Sequence, residues 1–166
     1  SNYDDGSLSQ LKVFVSAHPV PDERSLRAAE LLLDRLSKLS SADFFIFILS
    51  GGTSSLLEKP IPPLTLKDVQ LVSTLLLRRG LTIAETNVIR KHLSLVKGGK
   101  LGRLTKARGL VLVISDVIGD NLETIGSAPL YCDKSSYFDA YHILCKSGLW
   151  DRMPPAVQKV IEMGLS

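Results

Sequence analysis

Three short runs of apolar residues constrain the fold of this 166-residue chain more than any other feature. They cover residues 11–16 (LKVFVS), 44–49 (FFIFIL) and 110–114 (LVLVI). Each is rich in β-branched or aromatic residues, and the last two are continuous rather than alternating, which is typical of strands covered on both faces of a parallel sheet. All three are far shorter than the ~20 residues that a membrane helix requires. The runs therefore predict buried strands, and we expect no membrane partner.

Helical patterns with recognisable ends lie between these runs. Asp22 is a residue type that caps helices, and Thr65–Asp68 and Thr82–Glu85 have the spacing of a capping box. Glycines follow most of the patterns, as expected where helices end. The predicted helices cover residues 23–39, 65–79, 82–97, 136–146 and 154–163, with Gly98 after the third, Gly148 after the fourth and Gly164 after the last.

Strands that alternate with helices predict an α/β fold. We expect a three-layer sandwich with a mostly parallel, Rossmann-like sheet and helices on both faces. Residues 1–10 form a polar leader without periodicity, and the whole of 1–166 is expected to be a single α/β domain. Residues 58–63 contain three prolines and are expected to be a rigid connection.

The composition is that of a globular protein, with 45% hydrophobic and 22% charged residues. A net charge of +3 suits small anionic ligands, but the cations are scattered and aromatic residues are few, so nucleic-acid binding is not expected. Cys132 and Cys145 form neither a CxxC pair nor a zinc-ligand set. Sparse cysteine usage without a signal-peptide pattern favours a reducing compartment, and hence the cytoplasm.

A glycine-containing loop follows the second predicted strand, at the edge where open α/β sheets bind ligands. Its sequence is Ser50-Gly51-Gly52-Thr53-Ser54. The two glycines allow backbone N–H groups to approach an anion closely, and the hydroxyls add donors. The spacing matches neither a Walker nor a Rossmann fingerprint. An ordinary Gly-Ser turn is the structural alternative.

An acidic loop follows the third predicted strand. It contains Asp116 and Asp120, which lie on either side of Gly119 in the sequence. Two carboxylates at the end of a strand can hold Mg²⁺ through water or orient an attacking hydroxyl. Aspartate and glycine also form plain turns and caps. The loop after the first strand contains His18 and Asp22. Its structural alternative to a ligand site is that Asp22 only caps the next helix and His18 is only a surface residue.

The helix predicted over 82–97 carries the most informative side chains. At 100° per residue its apolar side chains form one stripe, and polar side chains gather on the other side within about 120°. Cations with an amide and a hydroxyl on one face can bind a carboxylate or a phosphate, although a solvated charged face is the structural alternative. His92 falls on the apolar side, which favours a packed core histidine. The polar side chains are Asn87, Arg90, Lys91, Ser94 and Lys97.

Taken together, these segments resemble the two-domain glycerate 2-kinases, whose genes are often labelled hydroxypyruvate reductase. The matching pieces occur in the same order along the chain, over roughly residues 17–164, and five pieces in order are specific although each is weak alone. The pieces are residues 18–23 (HPVPDE), 50–54 (SGGTS), 87–94 (NVIRKHLS) with 97–99 (KGG), 115–117 (SDV) with Gly119 and Asp120, and Ile125 and Ser127 with Pro129.

The resemblance implies transfer of the γ-phosphate of ATP to the 2-hydroxyl of D-glycerate, with Mg²⁺, in a cleft between two domains. The implied substrate- or phosphate-binding residues are Ser50, Gly51, Gly52, Thr53, Ser54, Asn87, Lys91 and Ser127. The implied catalytic residues are Arg90, Lys97, Asp116 and Asp120, and either aspartate is a candidate for holding Mg²⁺ through water.

The chain departs from the family pattern at Thr53, where a third glycine is usual, and at Ala128 and Leu130, where Gly and Thr are usual. The extra side chains at Thr53 and Ala128 are expected to crowd a ligand. The family's glycine-lysine segment and second domain are missing, so we expect a fragment that is inactive without that second domain; a homodimer is compatible with this. Two alternatives stay open: a non-catalytic anion-binding domain and, without GxGxxG after a strand, a less supported hydroxypyruvate reductase.

Overall fold

Two parallel strands form the sheet in the part of the chain that the structure describes. β1 (Phe44–Ser50) and β2 (Arg108–Ile114) pair with Ile46 opposite Leu110 and Ile48 opposite Leu112. The computed structural model describes residues 12–115 and 119–166, and it confirms the α/β class and the parallel sheet. The α-helices within these residues are α1 (Glu23–Ser37), α2 (Thr53–Leu56), α3 (Leu66–Arg79), α4 (Ile83–Leu93), α5 (Tyr137–Lys146) and α6 (Pro155–Leu165).

The strand predicted over 11–16 is wrong for the part of it that the structure describes. Residues 12–17 adopt no regular secondary structure, and Leu11 lies outside the described residues. β-propensity reflects how well side chains pack in a sheet, and it is expressed only where a neighbouring strand completes the hydrogen-bonded ladder. In the described sheet β1 and β2 pair with each other and not with this segment.

The two faces of the sheet differ in burial. On one face Leu49 is buried, and the ring of Phe45 occupies the space that a side chain at Gly109 would need. The other face, called the open face below, carries large apolar side chains that are 46% to 66% exposed. The described residues therefore do not supply the cover that we expected on both faces. The side chains of the open face are Phe44, Ile46, Ile48, Leu110, Leu112 and Ile114.

The main hydrophobic core lies among α3, α4, α5 and α6, where Leu76, Ile89 and Leu144 are fully buried. A second cluster packs α1 against residues 96–101. These helices are amphipathic and turn their apolar stripes toward one another, as the sequence periodicity predicts. Among the described helices, none combines the length and apolar character needed to cross a bilayer.

Most helix ends follow the predicted signals. Asp22, Thr65, Thr82 and Ser136 cap α1, α3, α4 and α5, each through a complete capping box. Gly80 ends α3 in the left-handed region, with φ 71°. Because these caps depend on local sequence alone, they are the most predictable parts of the fold.

The helix predicted over 82–97 ends four residues early, at Leu93. Ser94 is extended, and the N–H of Leu95 donates to Lys59 O at 2.7 Å, so this segment pairs with the proline-containing connection instead of continuing as helix. Lys100 Nζ donates to the carbonyls of Lys91 and Ser94 and so satisfies oxygens at the helix end. Ser94 and Lys97 therefore do not share a helical face with Arg90.

The prediction that Gly164 ends the last helix is also wrong, because α6 continues to Leu165. The ring of Tyr137 fills the space that a side chain at Gly164 would need, so this glycine permits a close approach of α5 and α6. His92 is packed as expected: it is 7% exposed, and its ring lies edge-on to Tyr137 with centroids 4.5 Å apart.

Candidate functional site

A cleft of about 310 Å³ lies at the carboxyl end of β1, between the glycine loop and α4. It is the place where the topology of an open α/β sheet leads us to expect a ligand. Its polar lining comes from the glycine loop and α4, and its apolar lining from side chains around them. The lining residues are His18, Pro19, Gly51, Gly52, Ser54, Ser55, Leu77, Ile83, Asn87, Arg90, Thr124, Ile125 and Gly126.

The glycine loop is a tight turn from β1 into the short helix α2. Gly52 has φ 77°, in the left-handed region that favours glycine, and it is the N-cap residue of α2. Thr53 Oγ1 donates to the carbonyl oxygen of Ser50 at 2.7 Å, which closes the turn. The side chain of Thr53 is thereby occupied within the loop.

Three polar side chains form a chain of hydrogen bonds at the back of the cleft. Ser127 Oγ donates to Asn87 Oδ1 at 2.7 Å and lies 2.7 Å from Ser54 Oγ. Since Ser127 uses its proton on Asn87, the hydroxyl of Ser54 is the donor to Ser127. Asn87 Nδ2 donates to Thr124 O at 3.1 Å, and an amide nitrogen has a second N–H for another partner.

The backbone around Ser127 is left-handed over three residues. Gly126, Ser127 and Ala128 have φ values of 58°, 61° and 55°, and the last two lack the freedom of glycine. The carbonyls of Ser127 and Ala128 accept hydrogen bonds from the N–H groups of Gly98 and Gly99, at 3.1 and 2.7 Å. These bonds hold the unusual backbone in place and set the hydroxyl of Ser127 between its two partners.

Two lysines on and after α4, the helix that lines the cleft, are buried. Lys97 is 1% exposed, and its Nζ lies 2.6 Å from Glu58 Oε2 and 3.2 Å from Leu57 O. Lys91 is also buried and lies 3.2 Å from Asp133 Oδ1. Arg90 is the cation that lines the cleft itself. Four cations, counting Lys100, stand against the two carboxylates of Glu58 and Asp133, so the cluster carries an excess of positive charge.

The electrostatics of these cations follow from burial. Burial lowers the pKa of Lys97 and of Arg90 below their usual values, and the charge of Glu58 opposes both shifts. Burial also lowers the pKa of Lys100 to about 8, against the opposing charges of Asp133 and Glu58. Because Lys97 Nζ is only 2.6 Å from a buried carboxylate, we assign this pair as ionised.

The structure brings together five of the predicted site residues in the lining of the cleft: Gly51, Gly52, Ser54, Asn87 and Arg90. It places the others differently. Ser127 lies behind the cleft, Lys91 and Lys97 are held in ion pairs, and Ser50 and Thr53 bond to each other. Asp120 is exposed, with φ 50°, and is not part of the lining. Asp116 lies outside the described residues.

The structure contradicts one structural alternative and one expectation about the site. The polar residues of 87–97 do not form a solvated face, because Asn87, Lys91 and Lys97 are at most 4% exposed. Neither Thr53 nor Ala128 lines the cleft, so their side chains do not crowd it. Ala128 lies instead in the lining of a separate apolar cavity beneath β2.

Sequence reasoning missed Glu58 and Asp133, the carboxylates that pair with Lys97 and Lys91. Glu58 lies in the segment interpreted only as a rigid connection, directly after two leucines. A carboxylate between apolar residues and prolines is a weak signal of a buried acid. Asp133 carries no comparable signal, because its pairing with Lys91 depends on tertiary structure.

The fold and the cleft define an α/β domain with a small, cation-rich site at the end of its sheet. The chain belongs to the DUF4147 family, described as a domain of unknown function, whose sequence model matches residues 1–162.

A glycerate 2-kinase of Pyrococcus horikoshii is 43% identical over 158 residues, which are 95% of this chain and 36% of that protein. A protein of Agrobacterium vitis that is provisionally named hydroxypyruvate reductase is 39% identical over 93% of this chain and 35% of its own length. The chain therefore spans about a third of the length of the curated relatives it matches.

Two crystal structures resemble this chain. A Pyrococcus horikoshii protein superposes with a TM-score of 0.88 at 44% identity, over 93% of this chain and 35% of that one. Glycerate kinase from Thermotoga maritima superposes with a TM-score of 0.81 at 39% identity, over 88% and 35%.

Proposed function

We propose that this chain is part of an ATP-dependent kinase that phosphorylates the 2-hydroxyl of D-glycerate, with Mg²⁺. The observation that carries the proposal is the placement of Arg90 and Asn87 in one cleft with Gly51 and Gly52, at the end of β1. The names of relatives that match nearly the whole chain support the same activity. Because the chain spans about a third of those relatives, the activity is proposed for the complete polypeptide.

The cleft suits the small, anionic part of this reaction. A volume of about 310 Å³ is at the lower end for ligand pockets, and it fits a three-carbon acid or one phosphate group better than a whole nucleotide. The guanidinium of Arg90 offers paired donors that match a carboxylate or a phosphate. The second amide N–H of Asn87 and the backbone of Gly51 and Gly52 add donors.

In this proposal the predicted residues that do not line the cleft act on it without contacting the ligand. Lys91 and Lys97 add positive charge, and Ser127 holds Asn87 and Ser54 in place. ATP supplies the phosphoryl group when bound, and such transfer depends mainly on positioning and charge neutralisation. Ser50 and Thr53 would lie at the rim toward its phosphates.

The described residues contain no cluster of three His, Cys, Asp or Glu side chains that would enclose a metal. This fits Mg²⁺, which proteins usually hold with few carboxylates while phosphates and water complete its shell. Asp120, and Asp116 outside the described residues, would assist through water in this proposal.

The test is an assay of the complete polypeptide with ATP and D-glycerate for ADP and 2-phosphoglycerate. Arg90→Ala should lower kcat/KM for glycerate roughly 10- to 100-fold, as expected for a lost hydrogen bond to a charged group. Arg27→Ala, an exposed cation on α1, is the matched control and should leave the activity unchanged. Absence of product in the wild-type protein over a range of metals would refute the kinase, and binding of glycerate by calorimetry in that case would favour the non-catalytic alternative.

A further inference from the structure

The ion pair formed by Glu58 and Lys97 is almost completely buried, which is an arrangement that adds little to the stability of a fold. The two residues are 2% and 1% exposed, and Glu58 Oε1 has no hydrogen-bond partner. Removing a carboxylate and an ammonium from water costs several kcal/mol for each ion, and an apolar pair of the same volume is often as stable or more stable. Unpaired buried polar atoms are also rare in native proteins. Such a pair is better explained by a role in the site than by stability.

The position of the pair connects the walls of the cleft. Glu58 follows α2, which begins at the glycine loop, and Lys97 Nζ donates to both Leu57 O and Glu58 Oε2 in this segment. The next residue, Gly98, donates to Ser127 O, and Ser127 in turn bonds Asn87 and lies 2.7 Å from Ser54. The ion pair therefore joins the glycine-loop segment to the segment that holds Asn87.

The charge of Glu58 acts on the cation inside the cleft as well. It favours the protonated forms of both Lys97 and Arg90, while burial opposes them. Without this carboxylate, Arg90 and Lys97 would be neighbouring like charges in a site of low polarity. The lysine would then lose its proton more readily than the guanidinium, because its ordinary pKa is lower.

We propose that Glu58 is a positioning residue for the anion site: it fixes Lys97, sets the charge balance around Arg90, and does not contact the ligand itself. The proposal rests on the anion-binding part of the proposed function and not on phosphoryl transfer. The charged groups that act on Lys97 are Glu58, from the connection after α2, and Arg90, from α4. Lys100 lies close enough to be affected by Lys97 in turn, and it also interacts with Asp133.

The test measures sulfate binding to the complete polypeptide by calorimetry between pH 6.5 and 9, since sulfate keeps its charge over this range. In Glu58→Gln no carboxylate opposes the effect of burial on Lys97, so Lys97 loses its proton at lower pH than in the wild type. Sulfate affinity should therefore fall about tenfold further toward pH 9 than in the wild type, the size expected for a unit charge some ångströms away at an effective dielectric constant near 20. The wild-type protein already loses the charge of Lys100 near pH 8, so its profile is the baseline against which the additional fall in Glu58→Gln is measured. Glu30→Gln is the matched control, because it removes the carboxylate of an exposed pair with Lys59 that is also 2.6 Å long; it should keep the wild-type profile.

A second variant keeps the test valid if Glu58→Gln does not fold. Glu58→Gln/Lys97→Met removes both charges, so the net field in the cleft changes little and the lysine can no longer titrate. A positioning role predicts sulfate affinity at least about fivefold below wild type, equivalent to part of one charge-assisted hydrogen bond. The double variant should show no pH dependence beyond that which Lys100 gives the wild type. Wild-type affinity in this double variant, or a wild-type pH profile in folded Glu58→Gln, would overturn the proposal.

Two further outcomes separate the inference from the proposed function. Sulfate binding with the predicted variant effects but without glycerate phosphorylation would refute only the kinase. Failure of the wild-type protein to bind sulfate at all would overturn the positioning role, because the cleft would then not be an anion site.

Discussion

The helical side of the domain and the open face of its sheet are equally apolar in sequence but differ in burial. Among α3 to α6, Leu76, Ile89 and Leu144 are fully buried. On the open face, Ile48 and Ile114 are 66% and 65% exposed. An apolar sequence pattern thus indicates that a segment is suited to burial. Whether the segment is buried depends on which other elements pack against it.

The largest expected effect tests this difference directly. Leu144→Ala removes a side chain that is 0% exposed in the helical core and should lower the free energy of unfolding by about 2–5 kcal/mol. Ile48→Ala removes a side chain that is 66% exposed and should change it by less than about 0.5 kcal/mol. Urea denaturation of the 166-residue chain measures both. Equal losses would mean that the open face is covered in solution.

A pair of glycines extends the comparison to the backbone. Gly99 has φ 77°, and a Cβ there would lie 2.9 Å from the backbone oxygen of Tyr131. Gly99→Ala should therefore destabilise by about 2–3 kcal/mol, combining the left-handed backbone with a contact that cannot move easily. Gly80 has a similar φ of 71° with nothing near it, so Gly80→Ala should cost only about 1 kcal/mol. Similar losses in the two variants would show that Tyr131 moves aside.

The remaining expected effect appears only above neutral pH. The pKa of Lys100 is about 8 in the folded chain against a usual 10.5, so the unfolded chain binds more protons between these values. The free energy of unfolding therefore rises with pH from about 8 to about 10.5 through this group. Lys100→Met should lack that rise when compared with wild type in denaturation curves across the range. Lys106→Met, at an exposed lysine, should keep it; an unchanged profile in Lys100→Met would show that Lys100 is not buried in solution.

Local sequence was sufficient for the features that local interactions decide. The caps at Asp22, Thr65 and Thr82 were predictable because a side chain two or three residues away satisfies the free N–H groups. The family resemblance implied that the glycine loop and Arg90 share a site, and they line one cleft. Roles in catalysis stay predictions for all of them.

Features that depend on distant segments were not predictable. The end of α4 at Leu93 requires the hydrogen bond between Leu95 and Lys59, which are 36 residues apart in number, and periodicity carries no information about it. The burial of Lys97 depends likewise on Glu58, whose carboxylate makes an interior position tolerable for an ammonium group. Charged residues on one face of a predicted helix are interpreted as solvent-exposed when the distant carboxylates that pair with them are unknown.

The hydrogen bonds from Gly98 and Gly99 to the carbonyls of Ser127 and Ala128 have one more consequence. Two stretches that are about thirty residues apart are thus joined through main-chain N–H and carbonyl groups. The side chain at Ala128 can change without removing these hydrogen bonds, whereas Gly99 has to stay small because Tyr131 lies against it. A departure such as Ala128 is tolerated within this scaffold, and the cleft keeps its shape through main-chain geometry.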